Sequence, residues 1–188
     1  MRVRTALKLL TLVAALMLAL APFPFSARAQ EANATKARAL VDAAIKMSDS
    51  NAAVRLLWQA TEIDPTLDDA YVYLGLYYNS RSDFTNVVKV YQKLIKYQPH
   101  QISAYLNIGE AYMSFSPPKT DDALVYYRTA YELDPKNTFA ALRIGQLLAQ
   151  AGKRDDALKY LKVALGDSAK NPTVASEAEK TLKQMGAL

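Results

Sequence analysis

Apolar residues recur along this chain three and four positions apart, which is the spacing of one face of a helix. The segment 71–78, YVYLGLYY, has the composition of a buried β-strand, but Tyr71, Leu74 and Tyr78 fall on one helical face. A second helical face follows downstream and consists of Val87, Val90, Tyr91 and Leu94. The polar turn NSRSD separates the two faces, so this stretch predicts a helical hairpin.

The hairpin pattern recurs with a nearly constant period. Prolines close successive copies at Pro65, Pro99 and Pro135, with spacings of 34 and 36 residues, and Pro172 follows 37 residues later. Proline ends a helix because it disfavours the α conformation in the residue before it. We therefore predict four repeats, over residues 34–67, 68–101, 102–137 and 138–172. The sequence TVASEAEKTLKQM predicts a last helix over 173–186, which would cap the array.

This pattern resembles the tetratricopeptide repeat, in which an aromatic residue, Leu-Gly and Tyr in the first helix precede Ala, Phe and a closing Pro. One copy fills these slots with Tyr71, Leu74, Gly75, Tyr78, Val87, Tyr91 and Pro99. The next copy has Tyr105, Ile108, Gly109, Tyr112, Ala123, Tyr127 and Pro135. Weaker copies lie on both sides of these two. The resemblance implies an all-α, right-handed superhelical solenoid of about four hairpins plus a C-terminal capping helix.

Two local features carry expectations about folding. A glycine costs about 1 kcal/mol relative to alanine inside a helix, so its recurrence indicates a close approach of the neighbouring helix. We expect Gly109 to tolerate alanine and to reject a bulky residue. The turn SFSPPKT is two residues longer than its counterparts, and we expect it to be dispensable for folding. A helix end near Gly166 is also expected.

The N-terminus has the features of a secretory signal peptide, residues 1–29. Basic residues precede the uncharged apolar stretch 9–20, and the small-residue sequence Ala-Arg-Ala follows at 27–29. We therefore expect export to the periplasm or the medium of a bacterium, with no stable membrane insertion after cleavage. The alternative is a retained signal that tethers the protein to the membrane.

Removal of this segment changes the charge of the chain. It contains four of the 23 basic residues and none of the 18 acidic ones, so the mature chain has a net charge of +1. Because nucleic-acid binding requires basic residues clustered on one face, no nucleic-acid partner is expected.

Candidate catalytic groups are few. The chain has no cysteine and a single histidine, His100, which lies in a predicted turn between repeats. The acidic pairs at 68–69, 121–122 and 155–156 fall in the first turns of predicted helices, where the helix dipole favours negative charge. We therefore predict a protein that is not an enzyme and that needs no cofactor or metal.

The resemblance implies a protein-binding adaptor whose first helices form a concave groove. The residues predicted to contact a protein or peptide partner are Tyr73, Leu76, Asn107, Glu110, Phe139, Arg143 and Gln146. Asn107 and Arg143 resemble part of the carboxylate clamp of chaperone-binding tetratricopeptide domains, although Val72, Leu76 and Phe139 stand where lysine or asparagine would complete it. We expect a mixed groove, in which Tyr73, Leu76 and Phe139 contact apolar side chains. Arg143 and Asn107 are expected to hold a carboxylate or backbone carbonyls of the partner.

Two alternatives remain open for this surface. Asn107 and Arg143 are equally compatible with ordinary solvated surface residues. A self-associating scaffold is the second alternative, since Ala37 and Ala44 replace aromatics in the first repeat and would leave a flat apolar surface for a second copy.

Overall fold

The computed structural model describes residues 23–166 and 169–187. All regular structure in these residues is helical, and each helix packs against the next one along the chain. The helices are α1 (Phe23–Ile45), α2 (Ser50–Ile63), α3 (Asp68–Asn79), α4 (Phe84–Tyr97), α5 (Ile102–Met113), α6 (Thr120–Leu133), α7 (Thr138–Gln150), α8 (Arg154–Leu165) and α9 (Pro172–Gln184). They form four hairpins, α1–α2 to α7–α8, followed by α9.

The helix ends have local causes in the sequence. The Asp49 carboxylate accepts hydrogen bonds from the backbone amides of Asn51 and Ala52, which caps the N-terminus of α2. Asp83 and Asn137 cap α4 and α7 in the same way. The three acidic pairs lie in the first turns of α3, α6 and α8, which confirms their predicted place at helix N-termini.

Close contact within the second, third and fourth hairpins explains the recurring glycine. A Cβ atom on Gly109 would lie 2.5 Å from Cε1 of Tyr127, whose side chain is fully buried. Gly145 faces Leu161 at a similarly short distance, with 2.7 Å between its added Cβ and Cγ of Leu161. The predicted close approach is thus confirmed, but the expected tolerance of alanine at Gly109 is wrong, because even a methyl group would displace a buried ring.

Hydrogen bonds from regularly spaced tyrosines also link one hairpin to the next. The Tyr71 hydroxyl donates to the carbonyl of Pro65 (3.1 Å), and the Tyr105 hydroxyl donates to the carbonyl of Pro99 (2.9 Å). Each of these first helices is therefore tied to the closing proline of the preceding repeat.

The long turn of the third hairpin contributes to the core. The Phe115 ring packs on Tyr112 and Phe84, with ring centroids 6.0 Å apart in both pairs, and Lys119 lies 4.4 Å above Phe115. The prediction that the whole turn is dispensable is therefore wrong for Phe115, whereas Pro117 and Pro118 are exposed. The predicted early end of α8 is confirmed, since the helix ends at Leu165.

The two ends of the array are closed differently. At the C-terminal end, α9 packs on α7 and α8 through Ala175, Ala178 and Leu182. At the other end, Ala37 and Ala44 are buried in the core, so they do not form the exposed apolar surface on which the self-association alternative depends.

The predicted signal peptide overlaps the described residues only in part. Residues 1–22 lie outside them, and residues 23–29 form the first turns of α1. None of the helices in the described part of the chain is both long enough and apolar enough to cross a bilayer.

Candidate functional site

An exposed apolar patch lies on α3, opposite its buried face. Val72, Tyr73 and Leu76 are 45%, 39% and 59% exposed, although the intervening Leu74 is fully buried. The Tyr73 hydroxyl makes no hydrogen bond with the described residues. We call these three residues the α3 patch. Large apolar side chains that remain exposed together mark interaction surfaces in soluble proteins.

A pocket of about 300 Å³ adjoins the α3 patch. It lies between α3, α4 and α5, and we call it the upstream pocket. Its lining consists of Gly75, Leu76, Asn79, Val87, Tyr91, Asn107, Glu110, Ala111 and Ser114. The Asn107 amide donates to the carbonyl of Ser103 on its own helix (2.8 Å). Leu76 therefore belongs both to the patch and to the pocket, so the two form one continuous surface.

A hydrogen-bond network lies at the downstream side of this pocket. Arg143 on α7 donates from Nε to Oε1 of Glu110 and from Nη2 to Oε2, both at 2.7 Å. The Tyr127 hydroxyl donates to the same Oε1 at 2.5 Å. Arg143 also donates from Nη1 to Gln146 (3.3 Å), and its guanidinium lies 5.0 Å from the centroid of the Phe139 ring. Two-point contact of this kind between arginine and a carboxylate is strong and directional.

The network perturbs the titration of two of its members. Burial raises the pKa of Tyr127 above its ordinary value, and the hydrogen bond to Glu110 and the charge of Glu110 raise it further. Burial lowers the pKa of Arg143, but the hydrogen bond and charge of Glu110 outweigh this and leave the pKa raised. At neutral pH, Tyr127 is consequently a neutral donor and Arg143 a cation.

A second pocket, of about 550 Å³, lies between α7 and α9, and we call it the downstream pocket. Its lining consists of Gln146, Ala149, Gln150, Glu177, Lys180, Thr181, Gln184 and Met185. Gln146 connects it to the network, since its amide donates to Glu177 (3.4 Å). Three glutamine amides at one site can both donate and accept hydrogen bonds.

The structure brings together most of the predicted partner-binding residues. Glu110, Phe139, Arg143 and Gln146 meet in the network, Leu76 and Asn107 line the upstream pocket, and Tyr73 lies on the α3 patch. Sequence reasoning missed the contribution of α9, which was assigned only a capping role. Glu177, Lys180, Thr181 and Gln184 recur three and four positions apart, a polar face that would have indicated a second surface.

The other candidate groups lie apart from this surface. His100 is exposed in the turn before α5. Within residues 23–166 and 169–187, no three histidine, cysteine or acidic side chains are grouped so that they could hold a metal ion.

Comparison with known proteins agrees with this architecture. Residues 119–176 match the model of the tetratricopeptide repeat family. The chain is 28% identical over 160 residues to tetratricopeptide repeat protein 21B of Mus musculus, and 25% identical over 137 residues to superkiller complex protein 3 of Homo sapiens. These matches include 85% and 72% of this chain but 12% and 9% of the relatives, so the chain spans only a small part of their length.

Three solved structures share the fold. The crystal structure of MamA has a TM-score of 0.59 at 24% identity, covering 73% of this chain and 81% of MamA. The TPR protein TTC0263 of Thermus thermophilus has a TM-score of 0.58 at 20% identity, covering 80% and 84% of the two chains. YrrB, described as a TPR protein with an unusual peptide-binding site, has a TM-score of 0.59 at 20% identity, covering 89% and 86%.

The fold is therefore that of a tetratricopeptide-repeat solenoid, and the sequence is similar to proteins of that family. Stacked hairpins of this class form extended surfaces that bind proteins and peptides.

Proposed function

We infer that this protein is an exported, non-catalytic adaptor that binds an extended segment of a partner protein. The binding surface is the first-helix groove, which consists of the α3 patch, the upstream pocket, the Glu110–Arg143–Gln146 network and the downstream pocket. The observation that carries this proposal is the continuity of the groove: Leu76 joins the patch to the upstream pocket, and Gln146 joins the network to the downstream pocket.

The groove has different chemistry at its two ends. The α3 patch offers apolar area, and burial of such area contributes roughly 25 cal/mol per Å² to association. The downstream pocket offers glutamine amides, which can pair with the main-chain N–H and C=O groups of an extended ligand. A suitable partner segment thus carries apolar side chains at the end that meets α3 and exposes its main chain where it passes α7 and α9.

Two further considerations support a peptide ligand. Pockets between stacked helices present side chains on rigid elements, which lowers the ordering cost of binding. YrrB, which shares the fold, is described as having a peptide-binding site, and this support is fold-level analogy.

The exported location rests on the sequence of residues 1–29, with basic residues before an apolar stretch and a small-residue cleavage site. Intact-mass analysis of protein made in a bacterial host tests it. A chain beginning at Gln30 supports a freely exported adaptor, whereas a chain that retains residues 1–29 would favour the membrane-tethered alternative.

Selection of peptides displayed on phage against the purified protein tests the binding function. We expect selected peptides to share apolar positions and to lose affinity for Leu76→Ser. Val125→Ser is the matched control, since Val125 is 61% exposed on α6 and lines neither pocket. Peptides that bind the wild type and Leu76→Ser equally but lose affinity for Val125→Ser would place the binding surface elsewhere.

A further inference from the structure

The guanidinium of Arg143 is already occupied by a carboxylate of this chain. Its Nε and Nη2 atoms both contact Glu110, and Nη1 contacts Gln146. The planar fork of arginine matches one carboxylate in this two-point geometry. A carboxylate from a partner would therefore have to displace Glu110 to reach the same position on Arg143.

Glu110 is held in this position from a second side. The hydroxyl of Tyr127 donates to it from within the hairpin, where the Tyr127 side chain is fully buried. If Glu110 moved out toward solvent, Tyr127 would lose its partner in a buried position, which is costly for a polar group. Arg143 would at the same time lose its counter-charge. The carboxylate is thus fixed by two residues on two different helices, α6 and α7.

The charges that line the two pockets also do not favour an anionic ligand. Glu110 is the charged residue in the lining of the upstream pocket, and it is acidic. The downstream pocket is lined by one acidic and one basic residue, Glu177 and Lys180, on consecutive turns of α9. Neither pocket therefore has an excess of positive charge that would attract an anionic group.

We propose that Glu110 acts as a built-in carboxylate ligand of Arg143 and thereby sets the specificity of the groove. The partner segment is recognised through apolar side chains and main-chain amides, with no carboxylate of its own bound at Arg143. The peptide ligand in this proposal rests on the proposed function. The occupation of Arg143 by Glu110 can be tested without any partner.

Acetate is the probe, because it is a small carboxylate that resembles the end of the Glu110 side chain. The Nε–Hε signal of Arg143 is followed by NMR while acetate replaces chloride at constant ionic strength. In the wild type this signal should show no saturable shift. In Glu110→Ala, removal of the carboxylate leaves room beside the guanidinium and leaves its Nε and Nη2 donors without an acceptor. The same signal should then shift saturably, and acetate should raise the melting temperature of this variant.

Two controls define the site. Glu110→Gln keeps the volume of the side chain without its charge and should show no saturable shift, because acetate then has no space to enter. In the double variant Glu110→Ala/Arg143→Ala, acetate should no longer raise the melting temperature. A saturable shift in the wild type would overturn the proposal, because Arg143 would then be open to external carboxylates. A lack of response in Glu110→Ala would overturn it as well, because Arg143 would not form an anion site.

The consequence for recognition is tested with peptides from the selection described above. Each peptide is made in two forms, one with a free C-terminal carboxylate and one with a C-terminal amide. The two forms should bind the wild type with the same affinity. Tighter binding of the carboxylate form would contradict the inference. A failure to select any peptide would count against the proposed function and leave the acetate result unaffected.

Discussion

Arg143 on α7 contacts both carboxylate oxygens of Glu110 on α5 at 2.7 Å, across the boundary between the third and fourth hairpins. The two residues are 33 positions apart, close to one period of the repeat. Because Tyr127 contacts the same carboxylate, one acidic side chain joins three helices.

Removal of Glu110 should therefore destabilise the fold. We expect Glu110→Ala to lower the free energy of unfolding by about 1–3 kcal/mol, because it leaves the Tyr127 hydroxyl and the Nε and Nη2 donors of Arg143 without their acceptor. Urea denaturation measures the change. Glu62→Ala is the control, since Glu62 pairs with Lys93 but is 73% exposed, and an exposed pair contributes about 0–1 kcal/mol. Equal losses in the two variants would show that the network adds no stability.

Alanine at Gly109 should also destabilise. The gain in helix propensity of about 1 kcal/mol is outweighed by overpacking, which typically costs about 1–3 kcal/mol, because the added Cβ would lie 2.5 Å from the Tyr127 ring. In a Tyr127→Ala background the ring is absent, and Gly109→Ala should become stabilising. A double-mutant cycle in urea measures this change of sign. The same effect of Gly109→Ala in both backgrounds would show that the two residues are not in close contact.

The long turn of the third hairpin should be sensitive at one position. Phe115→Ala should lower the free energy of unfolding by about 0.5–3 kcal/mol, because the ring packs between Tyr112 and Phe84. Replacement of the exposed Pro118 by alanine is the control and should have little effect. If both substitutions leave the thermal transition unchanged, Phe115 does not contribute to the core.

Alkaline pH should destabilise the protein through its buried tyrosines. Burial raises the pKa of Tyr71 and of Tyr127 in the folded state, with further increases from nearby acidic groups. An unfolded tyrosine ionises near pH 10, at about its ordinary pKa. The stabilising contribution is therefore complete below about pH 10 and falls as the pH rises toward the folded-state pKa values.

Each such tyrosine should contribute a loss of up to about 1.4 kcal/mol per pH unit above that point. Urea denaturation across this pH range measures the slope, and Tyr127→Phe should reduce it because phenylalanine has no ionisable group. An unchanged slope in Tyr127→Phe would mean that Tyr127 ionises as easily in the folded protein as in the unfolded chain.

Features within one hairpin were predictable from the sequence, whereas contacts between hairpins were not predicted. The repeat period identified the hairpins, the buried aromatics and the close approach at Gly75, Gly109 and Gly145, because these depend on helical spacing within one unit. The partner of Arg143 depends on how far adjacent units are offset when they stack, and periodicity alone does not define that offset. For the same reason, Glu110 and Arg143 were both predicted as partner-binding residues, although in the structure they bind each other.

Contacts between hairpins could have been predicted in part from residue pairs that lie one repeat period apart. Several polar contacts join residues about one period apart, such as Gln92 with Tyr126 and Gln101 with Asp68. Opposite charges at such a separation on the first helices would have indicated the Glu110–Arg143 pair. The exposed α3 patch was predictable in part, since Tyr73 and Leu76 fall outside the buried repeat slots.

A partner segment bound along the first-helix groove would lie close to Leu76 at one end and to Gln150 at the other. A photo-crosslinking amino acid placed at Leu76, at Gln150 or at Val125 of the full chain, in cells that produce the protein natively, measures this proximity. Leu76 lines the upstream pocket, Gln150 lines the downstream pocket, and Val125 is exposed on α6 outside both. The same partner protein should crosslink to Leu76 and to Gln150 and should not crosslink to Val125. Crosslinking from Val125 with none from either groove position would show that the partner binds outside the groove.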